Sequence, residues 1–309
     1  MHKSGIFMRL AAQWQIQLMS WLGLLFILVF AYLPMTGVIM AFKDMDHSFN
    51  LIHDMFHAPW AGFSFFEEFF NDDQFSDILK NTVLLNLLQL IINFPAPIIF
   101  AIMINEVLHT RFKRFVQSLS YLPHFLSWIV FGGILTTLLS MQDGVVNIFL
   151  LKLGILSRPF DFLGDANHFW GLIIGTSLLK GLGWGSIIYL AAITSIDSTL
   201  FEAATIDGAG RFRKIWHITI PSISGTILIF FLLSIGNLLN SSFDQIWIFQ
   251  SPLNIDRSEV IDTFVYRVGI KEMRYSYTTA VGLFKSVVAL LLLVTGHYAS
   301  KRIAGRGLF

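Results

Sequence analysis

The chain has 309 residues, of which 55% are hydrophobic, 15% aromatic and 13% charged, with a formal net charge of +1. Soluble domains carry about 25% charged residues, so roughly half of that is missing. A mean hydropathy of +0.66, 31 phenylalanines and 8 tryptophans point to a surface that meets lipid. The lack of any cysteine excludes disulfides, thiol catalysis and cysteine metal sites, and the near-neutral charge gives no footing for nucleic-acid binding.

In chain order, the first twenty residues contain Lys3, Arg9 and three glutamines without a small-residue cleavage site, which predicts a retained span rather than a signal peptide. Residues 7–19 alternate at helical spacing and are expected to lie along the inner membrane surface. About 20 apolar residues cross a bilayer, and six such runs can be drawn: 21–42, 82–104, 118–139, 169–193, 226–240 extended back to 218, and 277–300. The reading is an all-α membrane protein with six transmembrane helices. Pro34, Pro95, Pro97 and Pro123 fall in or near these runs, where membrane helices tolerate kinks.

The long connection at 43–80 holds His53 and His57, four apart, which is metal-ligand spacing on a helix. Only Asp54 stands beside them, so they read as surface histidines and no metal is expected. From Trp60 to Phe70 the same connection reads as an amphipathic aromatic helix at the membrane surface. No internal repeat, low-complexity linker or soluble domain is visible. The expected organisation is an interfacial segment at 1–19, one membrane domain at 20–303 and a tail at 304–309.

Basic residues set the orientation. An even number of spans puts both termini on one side. Together with the second and fourth connections they carry eleven basic residues, including Arg111, Lys113, Arg114, Arg211, Arg213, Lys214, Lys301 and Arg302, against four acidic ones. The opposite side carries eight basic against sixteen acidic. Both termini and the loop at 197–221 are therefore expected to be cytoplasmic.

That loop is the most specific feature of the chain. Glu202-Ala203-Ala204, three residues, Gly208, nine residues, then Ile218-Thr219-Ile220-Pro221 forms a polar, glycine-punctuated stretch between apolar runs. Leu200 to Ile206 should be helical, with Glu202 near the positive end of the helix dipole. Gly208 should break it, since glycine accepts left-handed angles at little cost. A second helix should start at Arg211, and Pro221 should mark its bend into the membrane. Phe201, Glu202, Ala203, Phe212 and Trp216 would be available as contacts. For Phe212 and Trp216, packing beneath the loop is the competing use.

This spacing, with Glu202, Ala203, Ala204, Asp207, Gly208, Ile218 and Pro221 in place, resembles the signature loop of bacterial ABC-importer permeases. The chain is also similar to carbohydrate-uptake permeases at Tyr32-Leu33-Pro34, Ala41-Phe42-Lys43-Asp44, Asn81-Thr82, Gly181 to Ala192, Phe243-Asp244-Gln245-Ile246, Asp262 to Gly269 and Ala280 to Lys285. The likeness runs over about residues 20–303 and is greatest to the complex-oligosaccharide branch. It implies a type I ABC-importer permease fold in the bacterial plasma membrane. It further implies a loop that docks into a cleft on an ATPase dimer, a second homologous permease subunit and an extracytoplasmic sugar-binding protein.

The phosphate-cradling Gly-x-x-x-x-Gly-Lys-Ser/Thr loop is missing from the sequence. ATP and magnesium would belong to a separate ATPase, with no cofactor bound here. No nucleophile–base pair suggests an enzyme. The alternative is an ATP-independent secondary transporter or channel, which calls for mid-membrane carboxylates at a coupling-ion site; every acid in this chain can be assigned to a connection. Polar residues inside spans are the candidates for the substrate pathway: Asn86, Gln89, Asn93, Lys180, Trp184, Asn237, Asn240 and Lys285. Hydrogen bonding between spans is the competing use for the asparagines. For the two lysines it is a charge partner on the second permease. Gly181, Gly183 and Gly185 mark either a loosened or a closely packed stretch.

Overall fold

The computed structural model describes residues 13–304, and these are helical apart from connections and one isolated antiparallel bridge between Lys43 and Trp60. The expected interfacial segment falls largely, and the basic tail almost wholly, outside the described residues. Among the described residues, five helices are long and apolar enough to span a membrane, and a sixth span exists if one sharply bent pair is counted together. The chain forms two units, one comprising residues up to Asn71 with Val268–Leu283, the other Asp72–Arg267 with Phe284 onward.

In the first unit, helix α1 (Trp14–Phe42) buries none of its residues from Trp14 to Ile27, and beyond Gln15, Gln17 and Ser20 that stretch is apolar on every side. Pro34 lacks the N–H needed to continue a regular ladder. A π-turn at Leu28–Tyr32 and a 3-10 stretch at Thr36–Phe42 flank it. Helix α2 (Leu51–His57) starts where the Asn50 side chain accepts from the His53 N–H. Helix α3 (Ser64–Asn71) is amphipathic as expected, but its aromatic stripe packs within the unit: Phe65 and Phe69, four apart, are buried. The last helix of the chain begins in this unit. Its first N–H groups, on Ser276 and Tyr277, donate to Asp46, and Arg274 joins Asp46 to Glu68.

In the second unit, α4 (Phe75–Glu106), α5 (Thr110–Phe125), α6 (Trp128–Leu139) and α7 (Val145–Lys152) precede the central helix α8 (Ala166–Thr194). Then come α9 (Ser198–Ile206), α10 (Arg211–Gly236), α11 (Phe243–Phe249), α12 (Ile255–Ser258), α13 (Ile261–Tyr266) and, from Phe284 onward, the rest of the last helix, α14 (Tyr275–Ala304). One apolar core gathers Leu85, Phe169, Ile173, Ile246 and Phe249, and another gathers Ala101, Tyr189, Ile193 and Ile223. Both draw on α8.

The single span expected at 118–139 is instead two helices, α5 and α6, meeting at 105°. Pro123 cannot donate to the helix ladder, Leu126 and Ser127 are extended, and the Ser127 hydroxyl caps α6 by accepting from the Val130 N–H. The glycine-rich part of α8 is closely packed at Gly183 and Gly185, whereas Gly181 faces open space. A Cβ at Gly183 would lie 2.2 Å from the Ser120 carbonyl oxygen, and one at Gly185 would lie 3.1 Å from Pro97.

Candidate functional site

The loop at 197–221 is built from local signals. Asp197 caps α9 by accepting from the Thr199 N–H at 2.9 Å. Hydrogen bonds from the Thr199 backbone and side chain hold the Asp197 carboxyl below its usual range. Helix α9 therefore starts earlier than the sequence reading placed it. Asp197 serves its positive end, and Glu202 sits at mid-helix with its side chain exposed.

Gly208 ends α9 with φ of +72°. The Gly208 N–H donates to the Thr205 carbonyl and the Ala209 N–H to the Ala204 carbonyl, the paired bonds of a Schellman termination. The Lys214 ammonium then donates to the Thr205 hydroxyl at 2.7 Å, bracing the start of α10 against the end of α9. Glu202, Ala203, Asp207 and Gly208 are exposed, whereas Phe201 and Ala204 are half-buried. Phe212 and Trp216 are 83% and 66% exposed, so neither packs beneath the loop. Pro221 lies inside α10, which runs unbroken from Arg211 to Gly236. A π-turn at Ile215–Thr219, just ahead of Pro221, accommodates the missing donor.

A cavity of about 530 Å³ lies between α4, α8 and α10, within the roughly 300–1,000 Å³ usual for small-molecule sites. Asn86, Gln89, Asn93, Trp184, Asn237 and Asn240 line it, together with Tyr189, Ser234 and apolar neighbours. Asn86 donates to Ser241 and Asn240 to Asn237. The side-chain oxygen (Oδ1) of Asn93 is buried without a hydrogen-bond partner. The Trp184 ring stacks on His124, with centroids 4.4 Å apart and planes 3° from parallel, so one indole face is covered within the chain.

Lys180 and Lys285 are not among the cavity-lining residues. The Lys180 ammonium, on α8, donates to the Pro123, His124 and Leu126 carbonyls at the break between α5 and α6. The Trp128 and Phe131 rings flank it at 5.4 and 5.8 Å. Lys285 pairs with Asp262, so its charge partner lies within this chain. Asp262 also accepts from the Ser241 N–H. His53 and His57 stack on one another at 4.2 Å. Among the described residues no cluster of three or more histidine or acidic groups could hold a metal.

Residues 75–305 match the family of binding-protein-dependent transport system inner membrane components. The chain belongs to this family. It is 42% identical over 287 residues to protein LplB of Bacillus subtilis (strain 168), covering 93% of this chain and 88% of that one. It is 36% identical over 307 residues to the polygalacturonan/rhamnogalacturonan transport system permease protein YteP of the same organism, covering 99% and 94%. Among solved structures, the bacterial alginate ABC transporter in complex with an alginate pentasaccharide-bound periplasmic protein contains a similar chain. There the TM-score is 0.88 at 36% identity, with 98% of this chain and 99% of that chain covered. The fold of this inner-membrane component is accordingly that of an ABC-importer permease.

Four residues of this permease were not singled out as site or capping residues in the sequence. Asp197 was readable, since aspartate ahead of a helical run is a start signal. Tyr189 and Ser234 join the cavity only because of how α8 and α10 are rotated. Gln245 is fully buried; it donates to the Ile173 carbonyl and Thr176 hydroxyl and accepts from Ser177, pinning α11 to α8.

Proposed function

We propose that this chain is a permease subunit of an ATP-driven, binding-protein-dependent carbohydrate importer in the bacterial plasma membrane. The cavity between α4, α8 and α10 forms half of the sugar pathway. The observation that carries this reading is its lining. Carboxamides both donate and accept hydrogen bonds, as sugar hydroxyls do, and the uncovered face of Trp184 suits the apolar face of a pyranose. YteP and the alginate transporter are both named for polysaccharides, which supports an oligosaccharide cargo.

The loop at 197–221 docks on a separate ATPase dimer that binds ATP and magnesium. A second, homologous permease completes the pathway, and an extracytoplasmic binding protein delivers the sugar. Both termini face the cytoplasm, in keeping with the excess of basic residues on that side. A braced, Schellman-capped helix moves as one piece, so closure of the ATPase is passed to α8 and α10 at its two ends. The cavity then opens alternately to either side.

The test is uptake of labelled oligosaccharide into vesicles holding the assembled transporter, with ATP hydrolysis followed in parallel. Glu202→Lys should abolish sugar-stimulated hydrolysis and uptake while the spans stay inserted. Full ATP-driven uptake by that variant would remove the coupling role, and equal uptake without ATP would remove the importer reading.

A further inference from the structure

The first unit ties a short aromatic segment to the ends of two membrane-crossing helices. Helix α1 carries no charged residue along Trp14–Phe42, and Lys43 is the first charge after it. Lys43 is bridged to Trp60, and the Asp44 N–H donates to the Pro59 carbonyl. Its ammonium donates to the Met55 and Phe56 carbonyls at 2.8 and 3.1 Å, which fastens the C-terminal end of α2 to the end of the span. The Phe63 ring meets the Phe42 ring edge to face at 5.5 Å.

Helix α14 enters at the same level. The Met45 N–H donates to the Ser276 hydroxyl, the His47 N–H to the Met273 carbonyl, and Asp46 caps the helix start. Two spans thus pass from apolar to charged sequence at one height, marked by Lys43, Asp46 and Arg274.

At that height, large apolar side chains remain mostly exposed. Phe49 is 94% exposed, Ile52 78%, Phe56 73%, Trp60 69% and Phe63 68%. Ile52 and Phe56, four apart, share one face of α2, whereas His53, Asp54 and His57 supply its polar side. Aromatic side chains are favoured where hydrocarbon gives way to headgroups, and contiguous exposed apolar groups are otherwise uncommon on a water-facing surface.

We propose that Phe49, Ile52, Phe56, Trp60 and Phe63 form a lipid-seated anchor, with α2 lying in the headgroup–acyl boundary beside the end of α1. Of the aromatic stretch expected at the membrane surface, residues 60–70, Trp60 and Phe63 belong to this anchor, whereas Phe65 and Phe69 of α3 are spent on packing. The occupant is lipid, since both flanking spans pass from apolar to charged sequence beside the segment, at Lys43, Asp46 and Arg274. The anchor fixes the first unit against the membrane.

Because the chain has no cysteine, single-cysteine spin labels need no background removal. Ile52→Cys, Phe56→Cys and, as a water-facing reference, Glu67→Cys are made in the full-length chain. Each is reconstituted with its partner subunits in phosphatidylethanolamine/phosphatidylglycerol vesicles. Labels at 52 and 56 should collide several-fold more often with oxygen than with a water-soluble nickel chelate, with the ratio reversed at 67. Free collision of the 52 and 56 labels with the nickel chelate overturns the proposal. Shielding from both reagents, or shielding that appears only when the external binding protein is added, also overturns it by assigning the patch to a protein contact.

Discussion

The loop at 197–221 and the break between α5 and α6 are both irregular backbone beside α8, and they are made in opposite ways. In the loop every stabilising group comes from within about one turn or one connection: the Asp197 cap, the Gly208 termination and the Lys214–Thr205 brace. In the break the decisive group is Lys180, which reaches back more than fifty residues to the carbonyls of Pro123, His124 and Leu126. A locally built element can project into water and still hold its shape. A break at membrane depth needs donors from elsewhere, because hydrocarbon offers none.

Lys180→Met tests the contrast most severely. It leaves the carbonyls of His124 and Leu126 without their donor, whereas Pro123 keeps the Leu126 N–H, and an unsatisfied buried group costs about 1–3 kcal/mol. The solubilised transporter should lose roughly 2 kcal/mol or more, visible as a large fall in its thermal midpoint, with Lys180→Arg losing less. An unchanged midpoint would mean the break holds without the lysine. Gly183→Ala comes next. Its methyl would meet the Ser120 backbone oxygen at 2.2 Å, and overpacking of this kind costs about 1–3 kcal/mol, again read by thermal unfolding.

The loop should respond differently. Gly208→Ala forces a left-handed residue to carry a Cβ, at about 1–2 kcal/mol, and should lower sugar-stimulated ATP hydrolysis while leaving the thermal midpoint nearly unchanged. In the cavity, Gln89→Ala and Asn237→Ala should each remove a hydrogen bond to cargo worth about 0.5–1.5 kcal/mol. Uptake should then need a several-fold higher sugar concentration, with assembly intact; unaltered uptake kinetics would take these side chains off the pathway.

The smallest effect concerns pH. The Asp197 carboxyl is held below its ordinary range by Thr199, so the unfolded chain takes up the proton more readily. The cap's contribution is complete above the ordinary aspartate pKa of about 3.9 and is lost as pH falls through the lowered value. Amide exchange in the first turn of α9 should quicken in that acidic window. Asp197→Asn, which still caps, should abolish the pH dependence and keep the helix.

What was legible in the sequence follows from the range of the forces involved. Six of the residues picked out of apolar runs, Asn86, Gln89, Asn93, Trp184, Asn237 and Asn240, line one cavity, because a polar group in hydrocarbon needs a partner or a wet cavity. Lys180 and Lys285 meet the same need with partners inside the chain. For one the partners are backbone carbonyls, which have no sequence signature, and for the other the partner is Asp262, which reads as part of a connection. The aromatic stripe of α3 showed its helical period but not which surface it covers.

The sequence by itself determined the helices, their apolar lengths and the shape of the loop, because hydrophobic periodicity, capping and glycine's left-handed angles act within a few residues. Only the tertiary structure decided which polar side chains meet at the cavity, where the third span breaks and which aromatic residues stay uncovered. The first two depend on the rotation and close approach of α4, α5, α8 and α10, and the third on packing inside the first unit. Contacts such as Gly183 on Ser120 and Gln245 on Ile173 join residues far apart in the chain.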